Sequence, residues 1–139
     1  MSLKGVERIE RGGKAYAIVL RANASSDEKY NFLTGPESPL QLGTNFYAAG
    51  ETIKAHFHLP RHVETTQVQE FLLIGAGRVR LTLYDEQDRS PFGECELGQG
   101  DMVLLMAGGH SFDVLEGTKI IEVKQGPYDG QAKDKVVFG

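Results

Sequence analysis

Two histidines one residue apart, His56 and His58, are followed by Glu70 and then by His110. Alternate residues of a β-strand lie on one face, so a strand here would present both imidazoles together, roughly 7 Å apart along the chain. Imidazole nitrogens and a carboxylate suit a first-row divalent metal. Three of the four histidines belong to this pattern. The sequence therefore predicts a metal site inside a small β-barrel.

The elements expected to position these residues are short strands. Strand-like runs occupy residues 15–22, 40–48, 52–58, 69–74, 78–84, 94–97, 101–106, 111–115 and 118–124. Glycine-rich and proline-containing turns separate them, and Gly75-Ala76-Gly77 is expected to be a hairpin turn. Residues 25–31 could form one short helical turn. Many short strands at this spacing predict an all-β sandwich or closed barrel.

Composition excludes several classes of function. A chain of 139 residues predicts one domain, 1–139, and a net charge of -4 argues against nucleic-acid binding. The longest apolar runs, 71–74 and 102–107, are too short to span a bilayer, and no signal peptide is recognisable. The single cysteine, Cys95, cannot form an internal disulfide, which fits a reducing compartment. We therefore expect a cytoplasmic protein without a nucleic-acid or membrane partner.

Two segments resemble the motifs of the cupin family. In the first, five residues separate Gly50 from His56, and six separate Glu70 from Gly77. Residues 100–110 resemble the second motif: they begin with Gly-Asp, continue as an apolar strand and end with Gly-Gly-His. The resemblance covers about residues 40–124, and it implies a cupin jelly-roll, a double-stranded β-helix barrel, with flanking N-terminal and C-terminal segments.

The resemblance also implies a metal site. Carried over, the ligands of one divalent transition metal (Fe, Mn, Ni, Co, Zn or Cu) would be His56, His58, Glu70 and His110. Eleven residues separate His58 from Glu70, more than the family usually has, and Met106 stands where the second motif has a proline. Residues of the long loop could therefore replace Glu70 as the fourth ligand; they are His62, Glu64, Gln67 and Gln69.

Two classes of function stay open. A metal-dependent isomerase, epimerase or dioxygenase-like enzyme would act on a polar, carbohydrate-related small molecule and would need a base that is not a ligand. Candidates for that base are His62, Glu64, Gln67 and Lys124. The alternative is a non-catalytic or metal-free module that binds a sugar or sugar nucleotide. Either Glu122 or Lys124 is expected at the barrel mouth, since strand alternation alone does not choose between them.

The remaining expectations concern packing and assembly. Candidates for the barrel wall and core are Tyr47, Phe57, Leu72, Leu81, Leu83, Val103, Leu105 and Phe112. Resembling cupins commonly pair, so we expect a homodimer in which the apolar strand 15–22 is exchanged. The apolar end 136–138 is expected to dock as an added strand or to cross to a partner subunit.

Overall fold

The computed structural model describes residues 3–139, which form eight β-strands and one short α-helix. The elements are β1 (Lys4–Arg11), β2 (Lys14–Ser25), β3 (Tyr30–Phe32), β4 (Gly43–Asn45), β5 (Glu70–Tyr84), β6 (Pro91–Gly98), β7 (Met102–Leu105), β8 (Gly109–Lys124) and α1 (Gln131–Asp134). The expectation of an all-β chain is confirmed.

Six of the strands form one strongly curled antiparallel sheet, an open half-barrel. Its order is β1-β2-β7-β5-β6, and β8 pairs along β5. The first residues of β5 lie between β7 and β8, whereas its second half lies between β6 and β8. The strands β3 and β4 form a separate pair. The long antiparallel pair of β5 and β8 therefore joins both halves of the curled sheet.

The glycines expected to form a hairpin turn instead form a bend inside β5. Gly77 has φ of 87°, and a Cβ atom there would collide with the Gly117 carbonyl oxygen of β8. The pairing of β5 with β8 shifts register at three places between Ile74 and Val79. Strand 78–84 is thus continuous with 69–74, and 111–115 is continuous with 118–124. The prediction of separate strands on either side of the bend was wrong. Two paired strands can bend together without breaking where glycines leave room for the backbones to approach.

The irregular pairing at the bend also changes which residues face inward. Before it the buried residues of β5 have even numbers, and after it they have odd numbers; they are Leu72, Ile74, Val79, Leu81 and Leu83. A one-residue slip moves every later side chain to the opposite face of a strand. The shift therefore keeps the apolar side chains of both halves of β5 on the concave face.

The concave face carries the main core. It includes five of the predicted core residues, Leu72, Leu81, Leu83, Val103 and Leu105, and Phe112 packs against it partly buried. A second cluster covers the convex face around Ile18 and Leu104. Both faces of β2 are consequently buried, and its Ala17, Ile18 and Val19 are 0% exposed. Within one chain β2 lies between β1 and β7, so residues 15–22 form an inner strand of the sheet. Exchange of this strand with a partner stays a prediction.

Residues between β4 and β5 depart most from the expectation. No strand forms over 52–58, and only Gly43–Asn45 of the predicted strand 40–48 pairs. Tyr47 is 41% exposed and Phe57 87% exposed, so neither belongs to the core. Residues 25–31 contain no helical turn, because the Ser26 hydroxyl accepts the Glu28 N–H in a tight turn before β3. Apolar alternation alone does not show whether a strand finds a partner.

The C-terminal tail follows β8 and crosses one end of the half-barrel. The Phe138 ring packs edge-on against Tyr84, with 5.2 Å between ring centroids, and the Arg89 guanidinium lies 5.4 Å from it. Val136 and Val137 are exposed. The end of the chain does dock, but through one aromatic ring and not as an added strand. In the described range 3–139, no helix is long and apolar enough to cross a bilayer.

Candidate functional site

A cavity of about 900 Å³ opens on the concave face of the curled sheet. Its wall combines apolar side chains with a group of charged ones, and those that matter here are Glu70, Leu72, His110, Phe112, Glu122 and Lys124. Ligand cavities in proteins commonly measure about 300–1,000 Å³ and combine an apolar wall with a few polar groups. The cavity therefore has the size and lining of a small-molecule site.

Glu70 is the centre of the charged group. Its Oε1 atom lies 3.5 Å from His110 Nε2, and its Oε2 atom lies 3.9 Å from Lys124 Nζ. The side chains of Glu70 and Lys124 are 17% and 19% exposed, whereas that of His110 is 36% exposed. A carboxylate is thus held between an imidazole and an ammonium group at the wall of the cavity. We call these three residues the Glu70 triad.

The paired strands β5 and β8 position the triad. Glu70 begins β5 and Lys124 ends β8, and the two are directly paired. His110 lies near the start of β8, opposite Leu83 at the far end of β5. Directly opposed residues share a face, so all three side chains lie on the concave face with the core. The bend then brings the two ends together.

The triad changes the acidity of its carboxyl group. The pKa of Glu70 is lowered from its usual range, chiefly because the His110 side chain hydrogen-bonds toward the carboxylate. The charges of His110, Lys124 and Lys135 lower it further, and partial burial opposes them. Glu70 is consequently ionised at neutral pH and can accept hydrogen bonds from ligand hydroxyl or amide groups.

Residues 67–69 are fixed beside the triad. Gln67 Nε2 donates to the Met106 carbonyl oxygen at 3.0 Å, and the Gln69 N–H donates to Gln125 Oε1 at 2.9 Å. The buried Gln69 Oε1 accepts from the Leu40 N–H at 3.2 Å. Gln67, one of the predicted polar candidates, thus lines the cavity, whereas Gln69 is a structural residue that joins three segments.

The tail supplies a second layer over Lys124. The Lys124 ammonium donates to Asp134 Oδ2 at 2.9 Å and lies 5.5 Å from the centre of the Tyr128 ring. The pKa of Lys124 is raised, chiefly by the hydrogen bond to Asp134. Asp134 and Lys135 also line the cavity. The tail therefore keeps Lys124 charged and forms part of the rim.

The other predicted site residues lie elsewhere. His56 and His58 are exposed in the segment without strand pairing, and their ring centroids are 5.4 Å apart. His56 Nδ1 lies 2.8 Å from the Lys54 carbonyl oxygen. His62 Nε2 lies 3.7 Å from Glu64 Oε2, and the two side chains are 87% and 88% exposed. None of these four residues lines the cavity.

The predicted metal ligands are therefore only partly assembled. Glu70 and His110 adjoin, but within residues 3–139 no group of three or more His, Cys, Asp or Glu side chains could hold a metal ion. With His56 and His58 elsewhere, the donor set in this conformation does not fit a metal centre. The metal site remains a prediction from the sequence.

The cavity also contains charged residues that the sequence left undecided or did not identify. Glu122 pairs with Leu72 and Lys124 with Glu70, so both face the cavity and neither had to be chosen over the other. Lys14, the first residue of β2, and Glu86, in the turn after β5, also line it and form an ion pair of 3.0 Å; neither was identified from the sequence. Opposite charges far apart in the chain, such as these, carry no spacing signal, because the tertiary fold alone brings them together.

Comparison with known proteins adds no assignment: no family model matches the chain, and no curated protein and no solved structure matches it.

Proposed function

We propose that this chain is a small cupin-like protein that binds a polar, metabolite-sized ligand in the concave cavity through the Glu70 triad. The observation that carries the proposal is the ionised Glu70 between His110 and Lys124 at the cavity wall. The curled antiparallel sheet is compatible with a jelly-roll barrel. Glu70 belongs to the first cupin-like motif and His110 to the second, and their side chains are in contact.

The cavity chemistry favours a hydroxyl-rich ligand. Glu70 can accept hydrogen bonds and Lys124 can donate them, while Leu72 and Phe112 offer apolar surface. Sugars combine hydroxyl edges with apolar ring faces, so a sugar or sugar nucleotide suits such a wall. No enzymatic step is needed for binding, and the carboxylate and imidazole would be the acid–base groups if turnover occurs.

A metal-dependent isomerase, epimerase or dioxygenase-like enzyme is the second candidate. It is supported by the contact between His110 and Glu70, which supplies one nitrogen and one oxygen donor beside the cavity. A divalent metal bound there would act as a Lewis acid on a ligand oxygen. This chain's own residues would orient the ligand and move its protons. His56 and His58 are not part of the cavity, so these two donors lie apart from the other two predicted ligands.

Ligand binding is tested by thermal unfolding with a panel of sugars and sugar nucleotides. A ligand at 100 times its Kd stabilises the folded state by about 2.7 kcal/mol, which raises Tm by several degrees. Glu70→Gln should abolish the shift, and Glu94→Gln on the exposed face of β6 is the matched control that should keep it. Loss of the shift in both variants, or no shift with any member of the panel, contradicts the proposal.

Metal content separates the two candidates. Elemental mass spectrometry of the wild-type protein should be compared with a His56→Ala, His58→Ala double variant and with His110→Ala. About one equivalent of metal in the wild type, lost in both variants, establishes the metal-dependent candidate. No metal after reconstitution with iron, manganese, nickel and zinc overturns it and leaves the metal-free binding module.

A further inference from the structure

In the described range 3–139, no strand lies beside the outer edge of β8. Among residues 3–139, β8 pairs with β5 alone, although it is 16 residues long. An open edge presents a row of unpaired N–H and C=O groups, and proteins usually cover such edges or place charges along them. One long edge of the curled sheet, that of β8, is therefore unpaired in the described part of the chain.

Apolar side chains accompany this open edge on both faces of β8. Ile120 is paired with Ile74 and so faces the concave side, where it is 38% exposed. Ile121 and Val123 point to the opposite face and are 44% and 56% exposed. Val114, near the other end of the strand, is 63% exposed. Exposed β-branched residues along a free edge indicate a surface that another strand covers.

The same chain contains a strand-patterned segment that pairs with nothing. Over 52–58, Ile53, Ala55 and Phe57 alternate with polar and basic residues. Ile53 is 60% exposed and Phe57 87% exposed. Within the described part of the chain, no hydrogen bond, ion pair or ring contact joins residues 52–63 to β8. An unpaired strand sequence and an unpaired edge thus occur in one molecule.

We propose that residues 52–58 of a second copy of this chain add as a strand to the free edge of β8, and that the same exchange occurs in the other direction. A two-fold symmetric dimer would satisfy both copies at once, because each offers one segment and one edge. The interface joins main-chain hydrogen bonds with apolar contact, as in other cases of β-strand addition. This inference stands without the proposed ligand.

The apolar face of residues 52–58 and the outer apolar face of β8 match when both lie on the same side of the extended sheet. With Phe57 and Ala55 beside Ile121 and Val123, the outer apolar surface becomes continuous. The alternate residues, among them Lys54, then point to the concave side, where Glu122 carries an opposite charge. If the added strand presented its opposite face, Lys54 would lie beside the apolar residues Ile121 and Val123.

A second copy fits the anchoring of the segment. The residues just before the segment are held beside β3. Glu51 pairs with Lys29, and the Tyr47 ring lies 6.1 Å from the Tyr30 ring between centroids. The segment returns at Gln67, which is bonded to Met106. Between these two anchors the segment lies on the surface of its own chain and leaves its own β8 uncovered. The exposed apolar stretch is therefore available to a neighbouring molecule.

The oligomeric state tests the exchange. Light scattering of the full chain over a range of concentrations should give about twice the chain mass of 15.3 kDa. Phe57→Asp should return the protein to the monomer mass, because a carboxylate would be buried at the interface. Phe32→Asp is the matched control, since Phe32 is 79% exposed on β3, and it should remain dimeric. A wild type that is monomeric throughout, or a dimer that Phe57→Asp leaves intact, overturns the proposal.

Cross-linking identifies which copy supplies the strand. In a Cys95→Ser background, a chain with Ala55→Cys is mixed with a chain carrying Ile121→Cys and treated with a short bismaleimide. A cross-linked pair containing one chain of each kind supports the exchange. A single chain with both cysteines that cross-links only within itself shows that the segment closes on its own β8, and this overturns the role of the second copy.

Discussion

His110 lies 3.5 Å from Glu70 although its directly paired partner in β5 is Leu83, thirteen residues (83 − 70) beyond Glu70. In a flat strand that separation would be about 43 Å, since each residue advances roughly 3.3 Å. The bend at residues 75–77 removes this distance by folding β5 and its paired strand β8 back over the core. The candidate site therefore depends on backbone geometry at a place that contains no site residue.

The bend should fail when a side chain is introduced at Gly77. Gly77→Ala combines a positive φ of 87° with a collision against Gly117, so we expect a loss of more than about 3 kcal/mol in the free energy of unfolding. Gly50 has φ of 90° but nothing within 4 Å of an added Cβ. Gly50→Ala should cost only about 1–2 kcal/mol. Equal losses in urea titrations of the two variants would show that the close contact at Gly117 does not matter.

The Glu70 triad should make stability depend on acid pH. The folded-state pKa of Glu70 is lowered from its ordinary value of 4.5, so the ionised form is favoured by folding. Its contribution is complete above that ordinary value and disappears as the pH falls through the lower folded-state pKa.

Glu70→Gln tests this dependence. The variant should be less stable than the wild type at pH 7, and the difference should shrink as the pH falls below the ordinary pKa of Glu70, because the wild-type carboxylate then becomes protonated. Urea unfolding at a series of pH values measures the difference, and Glu94→Gln serves as the exposed control. A difference between wild type and Glu70→Gln that is constant over this range would contradict ionisation as its cause.

The hydrogen bond between Lys124 and Asp134 should hold the tail over the cavity. Asp134→Asn removes its charge, which lowers the raised pKa of Lys124 toward the usual value and loosens α1. Hydrogen exchange of amides in residues 125–139 should become severalfold faster. Asp129→Asn is the control in the same tail, because Asp129 forms no ion pair with any residue in the range 3–139. Unchanged exchange in Asp134→Asn would mean that other contacts, such as that of Phe138, hold the tail.

The concave core should be sensitive to the loss of even two methyl groups. Val79 is 0% exposed, so Val79→Ala should cost about 2–3 kcal/mol through lost burial and the cavity that remains. Val137 is 74% exposed in the tail, and Val137→Ala should change stability by less than about 0.5 kcal/mol. Chemical denaturation compares them. A loss in the free energy of unfolding as small for Val79→Ala as for Val137→Ala would show that Val79 is not part of the core.

The sequence by itself determined the all-β class, the strand segments of the curled sheet except β1, and five buried core residues. It also pointed to Glu70, His110, Gln67 and Lys124, all of which line the cavity. Local alternation and turn residues are sufficient for such predictions, because the two faces of a strand differ in burial over a few residues.

The tertiary structure alone decided how these elements combine. Gly75 to Gly77 has the composition of a turn, yet it bends a continuous strand because β8 bends beside it. His56 and His58 have the alternation of a strand, yet no strand forms around them in the single chain. The approach of Asp134 to Lys124 likewise depends on the path of the tail. Strand pairing and long-range contact depend on distant partners, which the local pattern of residues does not specify.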